Sequence, residues 1–186
     1  MSKLRAKLAG FTLKLFGWDT RQLNGFYKVP KAVVIMAPHT SMNDFTIGRL
    51  AAWAYEKPAG FFMKKEALDW PIAGKLLAKM GAIGIDRGNV ANHNVELAAE
   101  RLKNSDELWI VITPEGTRKK VKRWKSGFYK IAQMAEVPIL ITILDYKKKI
   151  ITIADEFHPT GDYEADLPII KKYFEGVTPK HPEFKT

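Results

Sequence analysis

AVVIMAPHTSMNDFTIGRLAAWAYE, residues 32–56 of a 186-residue chain, decides the fold. Ala32–Ala37 is apolar without a break, the pattern of a strand buried on both faces. Pro38 to Ser41 interrupt it, and from Asn43 apolar residues return at helical spacing as far as Glu56. The stretch therefore reads strand, loop, helix.

The same alternation continues outward from it. Strand-type runs recur at Gly60–Lys64, Ala82–Ile85, Leu108–Ile112, Ile139–Asp145 and Lys149–Ala154. Glu66–Met80, Val90–Asn104 and Ser126–Ala135 read as helices between them, with Pro71 early in the first and Gly81 closing it. Alternation of this kind gives an α/β sheet covered by helices. Only Tyr146, Lys147 and Lys148 separate the last two runs, so these form an antiparallel hairpin and the sheet is mixed, mostly parallel. Asp162–Phe174 is expected to be a closing helix, and the tail from Gly176, with Pro179 and Pro182, to be loose. A single domain is the expectation at this length.

Composition excludes several classes. Hydrophobic residues make up 46% and charged residues 27%, with 13 Gly and 10 Pro, which is globular usage and not that of a disordered or fibrous chain. Without cysteine there is no disulfide scaffold, thiolate catalysis or Cys-based zinc site. The net charge of +10 is concentrated. Residues 1–31 carry seven Lys or Arg against Asp19 alone, and residues 118–130 carry seven with no acid. Two basic patches on a near-neutral remainder point to an anionic partner met locally.

Leu4, Leu8, Phe11 and Leu15 share a narrow arc at helical spacing, with Lys3, Lys7 and Lys14 beside it. Such a stripe either lies on an anionic membrane surface or packs on the domain. No apolar run approaches the roughly 18–20 residues of a membrane span. The basic start resembles a signal peptide, but Lys14 interrupts the apolar part and no small-residue cleavage site follows, so the chain is expected to be unexported.

Four loops follow strand ends, where open α/β sheets place ligands. In the first, His39 and Asp44 are five apart across a strand-to-helix turn. Side by side, the carboxylate would fix the imidazole tautomer and leave the other nitrogen to take a proton from a hydroxyl. A loop histidine and a helix-capping aspartate would show the same residues. Pro114-Glu115-Gly116-Thr117-Arg118 sets a turn after another apolar run and displays a carboxylate and a guanidinium together. Gly81 to Arg87 ends a strand with a second arginine, and Lys64-Lys65-Glu66 ends a fourth with two lysines. A base, two arginines and a lysine at such loops describe a pocket for an anionic alcohol.

In this order the motifs resemble those of the glycerolipid acyltransferases typified by 1-acylglycerol-3-phosphate acyltransferase: His39…Asp44, Gly81…Arg87, Pro114 to Arg118, and Val137-Pro138-Ile139. The lead-in Lys64-Lys65-Glu66…Pro71…Gly74 matches as well, and the resemblance covers roughly residues 31–145. It implies an α/β acyltransferase domain, and with the helical stripe at the start of the chain the expected division is an amphipathic N-terminal segment, 1–18, and an acyltransferase domain, 19–186. It further implies that His39 is the general base oriented by Asp44, and that an acceptor hydroxyl attacks an acyl thioester directly. Arg87, Glu115, Gly116, Thr117, Arg118 and Lys65 would hold the phosphate end of a lysophospholipid or glycerol-phosphate-like acceptor. The donor would be acyl-CoA or acyl carrier protein, acting as co-substrate, with no resident cofactor, and the Val-Pro-Ile element belongs to the donor side. The implied setting is cytoplasmic, peripheral on the inner face of an anionic membrane. Pro38 and Thr113 stand where the family often has Asn and Phe, and Lys119 and Lys120 replace a frequent Ser, which leaves the acceptor open.

Three rivals remain at this stage. A hydrolase would use Ser41 beside the same pair, but no Gly-x-Ser-x-Gly elbow exists and Ser41 is read as the helix cap. A metal site would need His39, Asp44, Asp86 and His93, which lack ligand spacing. Nucleic-acid binding would use Lys119–Lys125, with Trp124 as the stacking aromatic.

Overall fold

In the computed structural model, which describes residues 3–20, 28–85 and 91–185, strand β1 (Lys31–Ala37) is buried on both sides. Val33, Ile35 and Ala37 enter one hydrophobic core and Ala32, Val34 and Met36 the other. β1 pairs in parallel with β4 (Leu108–Ile112) and β5 (Ile139–Asp145). β2 (Ala59–Lys64) and β3 (Ala82–Ile85) extend the parallel part, and β6 (Ile150–Phe157) runs antiparallel to β5. The order is β3-β2-β4-β1-β5-β6, the mixed and mostly parallel sheet expected.

Connection handedness assigns the helices to faces. From β1 to β2 to β3 the chain steps one way across the sheet, and from β3 to β4 to β5 it steps back. Right-handed crossovers then put α2 (Met42–Ala54), α3 (Lys65–Leu68) and α4 (Ala73–Lys79) on one face. α5 (Ala91–Lys103) and α6 (Gly127–Ala135) go to the other. Packing agrees. Leu102, Phe128 and Ile131 fill the first core together with Ile170 of α7 (Tyr163–Lys172). Ile47 and Ala51 of α2 fill the second with Leu13 of α1 (Lys3–Leu15).

Three expectations are corrected. The helix read over Glu66–Met80 is two, α3 and α4. Pro71 has no N–H to give Ala67 and its ring collides with that carbonyl, so the first helix stops at Leu68. The chain then turns so tightly that a Cβ on Gly74 would stand 2.0 Å from the Leu68 carbonyl oxygen. The last strand runs on to Phe157, past a register shift at Ile141/Thr142. Nor is the tail loose. Val177 and Pro179 are buried, the Thr178 carbonyl accepts the Tyr146 N–H at 2.8 Å, and Thr40 Oγ1 accepts the His181 N–H at 3.2 Å.

The N-terminal helix forms as expected but packs through a different face. Ala9 and Leu13 are its buried residues, and Gly10 approaches Ala54 of α2. Leu4, Leu8, Phe11 and Leu15 remain 57–69% exposed. Among the described residues no helix is long and apolar enough to cross a membrane.

Candidate active site

His39 and Asp44 are brought together by the start of α2. Ser41 is its N-cap: its Oγ accepts the Asn43 N–H at 3.1 Å, and the Asp44 side chain, three residues on, reaches back to the Ser41 N–H. This capping box fixes the carboxylate's position before any other partner is considered. Asp44 Oδ2 accepts the Thr40 and Ser41 amides, each at 2.9 Å, and lies 2.9 Å from His39 Nδ1. Oδ1 accepts the Tyr146 hydroxyl at 2.6 Å. Asp44 is 1% exposed. Burial pushes its carboxyl up, but the bonds from His39, Tyr146, Ser41 and Thr40 outweigh burial and hold it below the ordinary value. A buried, ionised carboxylate at Nδ1 makes that nitrogen the donor, so Nε2 carries the lone pair for an incoming proton.

Tyr146 is the participant that sequence reasoning missed. It stands in the β5–β6 turn, and a tyrosine there carries no motif. Burial first, then the carboxylate it faces, drive its phenol well above the ordinary range, so it stays a donor. Its ring meets Trp18 edge-on at 5.1 Å.

Glu115, at the end of neighbouring β4, is placed unlike the other motif residues. It is 3% exposed, and Oε1 accepts the His39 backbone N–H at 3.1 Å, tying the two loops together. Oε2 has no hydrogen-bond partner among the described residues. Burial raises its pKa, partly offset by the His39 N–H. Gly116 follows at φ +65, its N–H on the Thr113 carbonyl at 2.9 Å. Positive φ favours glycine, and here space does too. The Lys125 side chain passes 3.1–3.2 Å from where a Cβ would stand, while the Lys125 N–H closes the loop on the Pro114 carbonyl at 2.9 Å. Lys125 thus adds a cation beside the turn that the motif does not include.

Thr117 and Arg118 are exposed in the same loop, and Thr117 Oγ1 accepts the Lys119 N–H at 3.3 Å. Lys65 is exposed at the end of β2. β2, β4 and β1 are consecutive in the sheet, so Lys65, the Glu115–Arg118 loop and His39 share one edge. Arg87, the remaining expected residue, lies outside the described residues, as does Asp86. His93 is exposed on α5, and among the described residues no three His, Asp or Glu side chains are grouped to hold a metal ion. Trp124 is not available to stack on a base. It is buried against Phe128 and Phe174, at ring distances of 6.5 and 5.5 Å.

A family model described as Acyltransferase matches residues 21–143. The crystal structure of the 1-acyl-sn-glycerophosphate (LPA) acyltransferase PlsC from Thermotoga maritima superposes with a TM-score of 0.63 at 18% identity, covering 92% of this chain and 75% of that one. A search of curated proteins finds no match. At that identity the superposition establishes a common fold, while the family model spans well over half of the chain and takes in both the His39–Asp44 and the Pro114–Arg118 loops. The chain belongs to the acyltransferase family.

Proposed function

We propose that the protein moves a fatty acyl group from an acyl thioester, carried by coenzyme A or acyl carrier protein, to the hydroxyl of a lysophospholipid or glycerol-phosphate-like acceptor. The observation that carries this reading is the His39–Asp44 pair, an ionised carboxylate buried and fixed by four donors, with the imidazole bonded to it through Nδ1. His39 Nε2 takes the acceptor's hydroxyl proton as its oxygen bonds to the thioester carbonyl carbon. The C–S bond then breaks, and the departing sulfur receives that proton from the imidazolium. Asp44 stabilises the imidazolium between the two steps.

Arg118, Thr117, Lys65 and Arg87 hold the acceptor's phosphate, with the Gly116 backbone close beside it. Glu115 is suited to holding the His39 loop in place, since a buried carboxyl is a poor neighbour for phosphate oxygens. Only a guanidinium offers two parallel donors to one phosphate. Arg118→Lys is therefore expected to raise KM for a phosphate-bearing acceptor by about tenfold or more while leaving KM for the donor alone. Mass spectrometry of products from purified protein, acyl-CoA and a panel of lyso-acceptors tests the activity. Formation of no acylated product from any of them counts against it.

The acceptor partitions into bilayers, so the enzyme works as a peripheral protein on the anionic inner face. The exposed Leu4, Leu8, Phe11 and Leu15 with their flanking lysines support this, each Lys near such a surface adding about 1 kcal/mol at low salt. Changing those four residues to serine is expected to reduce sedimentation with phosphatidylglycerol vesicles and to leave the melting temperature unchanged, because none of them is buried. A lower melting temperature with undiminished sedimentation would show that the segment has no membrane role.

A further inference from the structure

A second apolar ridge stands at the corner between α3 and α4. Trp70, Ile72 and Leu76 are 61%, 85% and 59% exposed. Of the five tryptophans, Trp18, Trp109 and Trp124 are buried and Trp53 is half-buried, so Trp70 alone faces solvent.

This exposure does not come from looseness. The Gly74 N–H bonds to the Trp70 carbonyl at 2.9 Å and the Leu76 N–H to the Ile72 carbonyl at 3.2 Å. Gly74 lets α4 sit directly on the end of α3, and Leu68 reaches inward to within 3.0 Å of where a Gly84 Cβ would stand. The inner side of the corner is clamped to the sheet, and the outer apolar side chains are held away from it.

Charge surrounds the ridge. Ile72, the N-cap of α4, and Leu76, one turn on, lie on one side, and Lys75 and Lys79 follow each of them by three residues, beside it. Lys64 and Lys65 stand exposed at the end of β2, so four exposed lysines outnumber the two acids of this stretch, Glu66 and Asp69. An exposed indole with aliphatic neighbours and a cationic surround is the chemistry of the interface between head groups and acyl chains.

Position completes the picture. α3 and α4 lie on the same face of the sheet as α2, on which α1 packs. Met42, the first residue of α2 and three from His39, is exposed too. One helical layer thus carries the outer face of α1, Met42 and the ridge, and the edge of the sheet where that layer begins holds His39.

We propose that Trp70, Ile72 and Leu76 form a membrane-docking surface separate from α1, seated in the interface of an anionic bilayer, which together with α1 fixes the tilt that turns the His39 pocket toward its lipid. This rests on the reading that the acceptor is a membrane lipid. Two attachment sites on one layer define an orientation, whereas a single helix leaves the body free to swing.

Trp70 supplies the test. The full chain is titrated with vesicles of phosphatidylglycerol and phosphatidylcholine in equal parts, with and without bromine on the acyl chains, while tryptophan fluorescence is read. Bromine quenching is expected in the wild type and is expected to fall sharply in Trp70→Phe, whose other four tryptophans are buried or half-buried. Ile72→Ser/Leu76→Ser is expected to weaken vesicle affinity by about tenfold with no change in melting temperature. The same variant should slow transfer to a vesicle-borne acceptor and spare transfer to a water-soluble short-chain one. Vesicle binding without quenching at Trp70, or no vesicle binding at all, overturns the proposal. So does a Trp70 response to an acidic carrier protein but not to the bilayer, which would make the ridge a protein-docking surface. Quenching without acyl transfer supports the ridge and removes the proposed activity; transfer without quenching does the reverse.

Discussion

Replacing His39 by alanine is expected to lower turnover by about 10²–10⁴-fold, the range set by losing a positioned general base. The fold should survive, because Asp44 keeps three of its donors, the Thr40 and Ser41 amides and the Tyr146 hydroxyl. Glu115 keeps the His39 backbone N–H as well, since that bond needs no imidazole. Product formation followed by mass spectrometry, beside a thermal melt of the same preparation, separates the two effects. A folded His39→Ala protein with near-normal transfer would remove the mechanism.

Asp44→Asn is expected to fail by a comparable or larger factor, about 10⁴-fold, because an amide cannot hold the imidazole with Nδ1 as donor while accepting from every other partner. Unlike the histidine change, it should also cost stability, about 1–3 kcal/mol, since one amide oxygen cannot serve bonds now made on both carboxylate oxygens. The pH dependence follows from the direction of the shift. Asp44 is held below its ordinary 3.8 in the folded protein, so its contribution is complete above that value. It is lost as pH falls through the lower folded value. Denaturation of wild type and variant at neutral and at acid pH should therefore show a gap that closes on acidification. A gap of constant size would mean that the charge is not what stabilises the loop.

What could be read from the residues, and what could not, divides by sequence distance. The strand, loop and helix from Ala32 to Glu56 place His39 beside Asp44 because the capping box and the pleat act over a few residues, and local rules suffice. Gly116 was legible as part of a turn for the same reason. Tyr146 was not, since it meets Asp44 across 102 positions and nothing about a tyrosine in a hairpin turn marks it out. Lys125 was visible only as one member of a basic run, and its place against Gly116 depends on how the loop closes. The N-terminal helix shows a different limit. Its large apolar residues traced a stripe, yet the packing face is the one with Ala9, Gly10 and Leu13, where small residues admit α2 closely. Hydropathy ranks burial by size, and a close helix crossing prefers the opposite. In the basic run after Arg118, Trp124 read as a stacking surface because its core partner Phe174 is fifty residues away.

The residues that finish the environment of Asp44 follow it by more than a hundred positions. Thr40, whose N–H it accepts, is itself held by the His181 N–H, and Tyr146, whose hydroxyl it accepts, is anchored through its own N–H to Thr178. A nascent chain that has cleared the ribosome through β5 already carries His39, Asp44, Glu115 and Arg118, yet it lacks Tyr146 and both of these anchors. Until residues 178–181 are added, His39 and Asp44 are present without the full set of bonds that holds the carboxylate. In a shorter polypeptide the Asp44 carboxylate is therefore held by fewer bonds, and its fixed geometry is completed only when the far side of the hairpin and the segment behind it have been added.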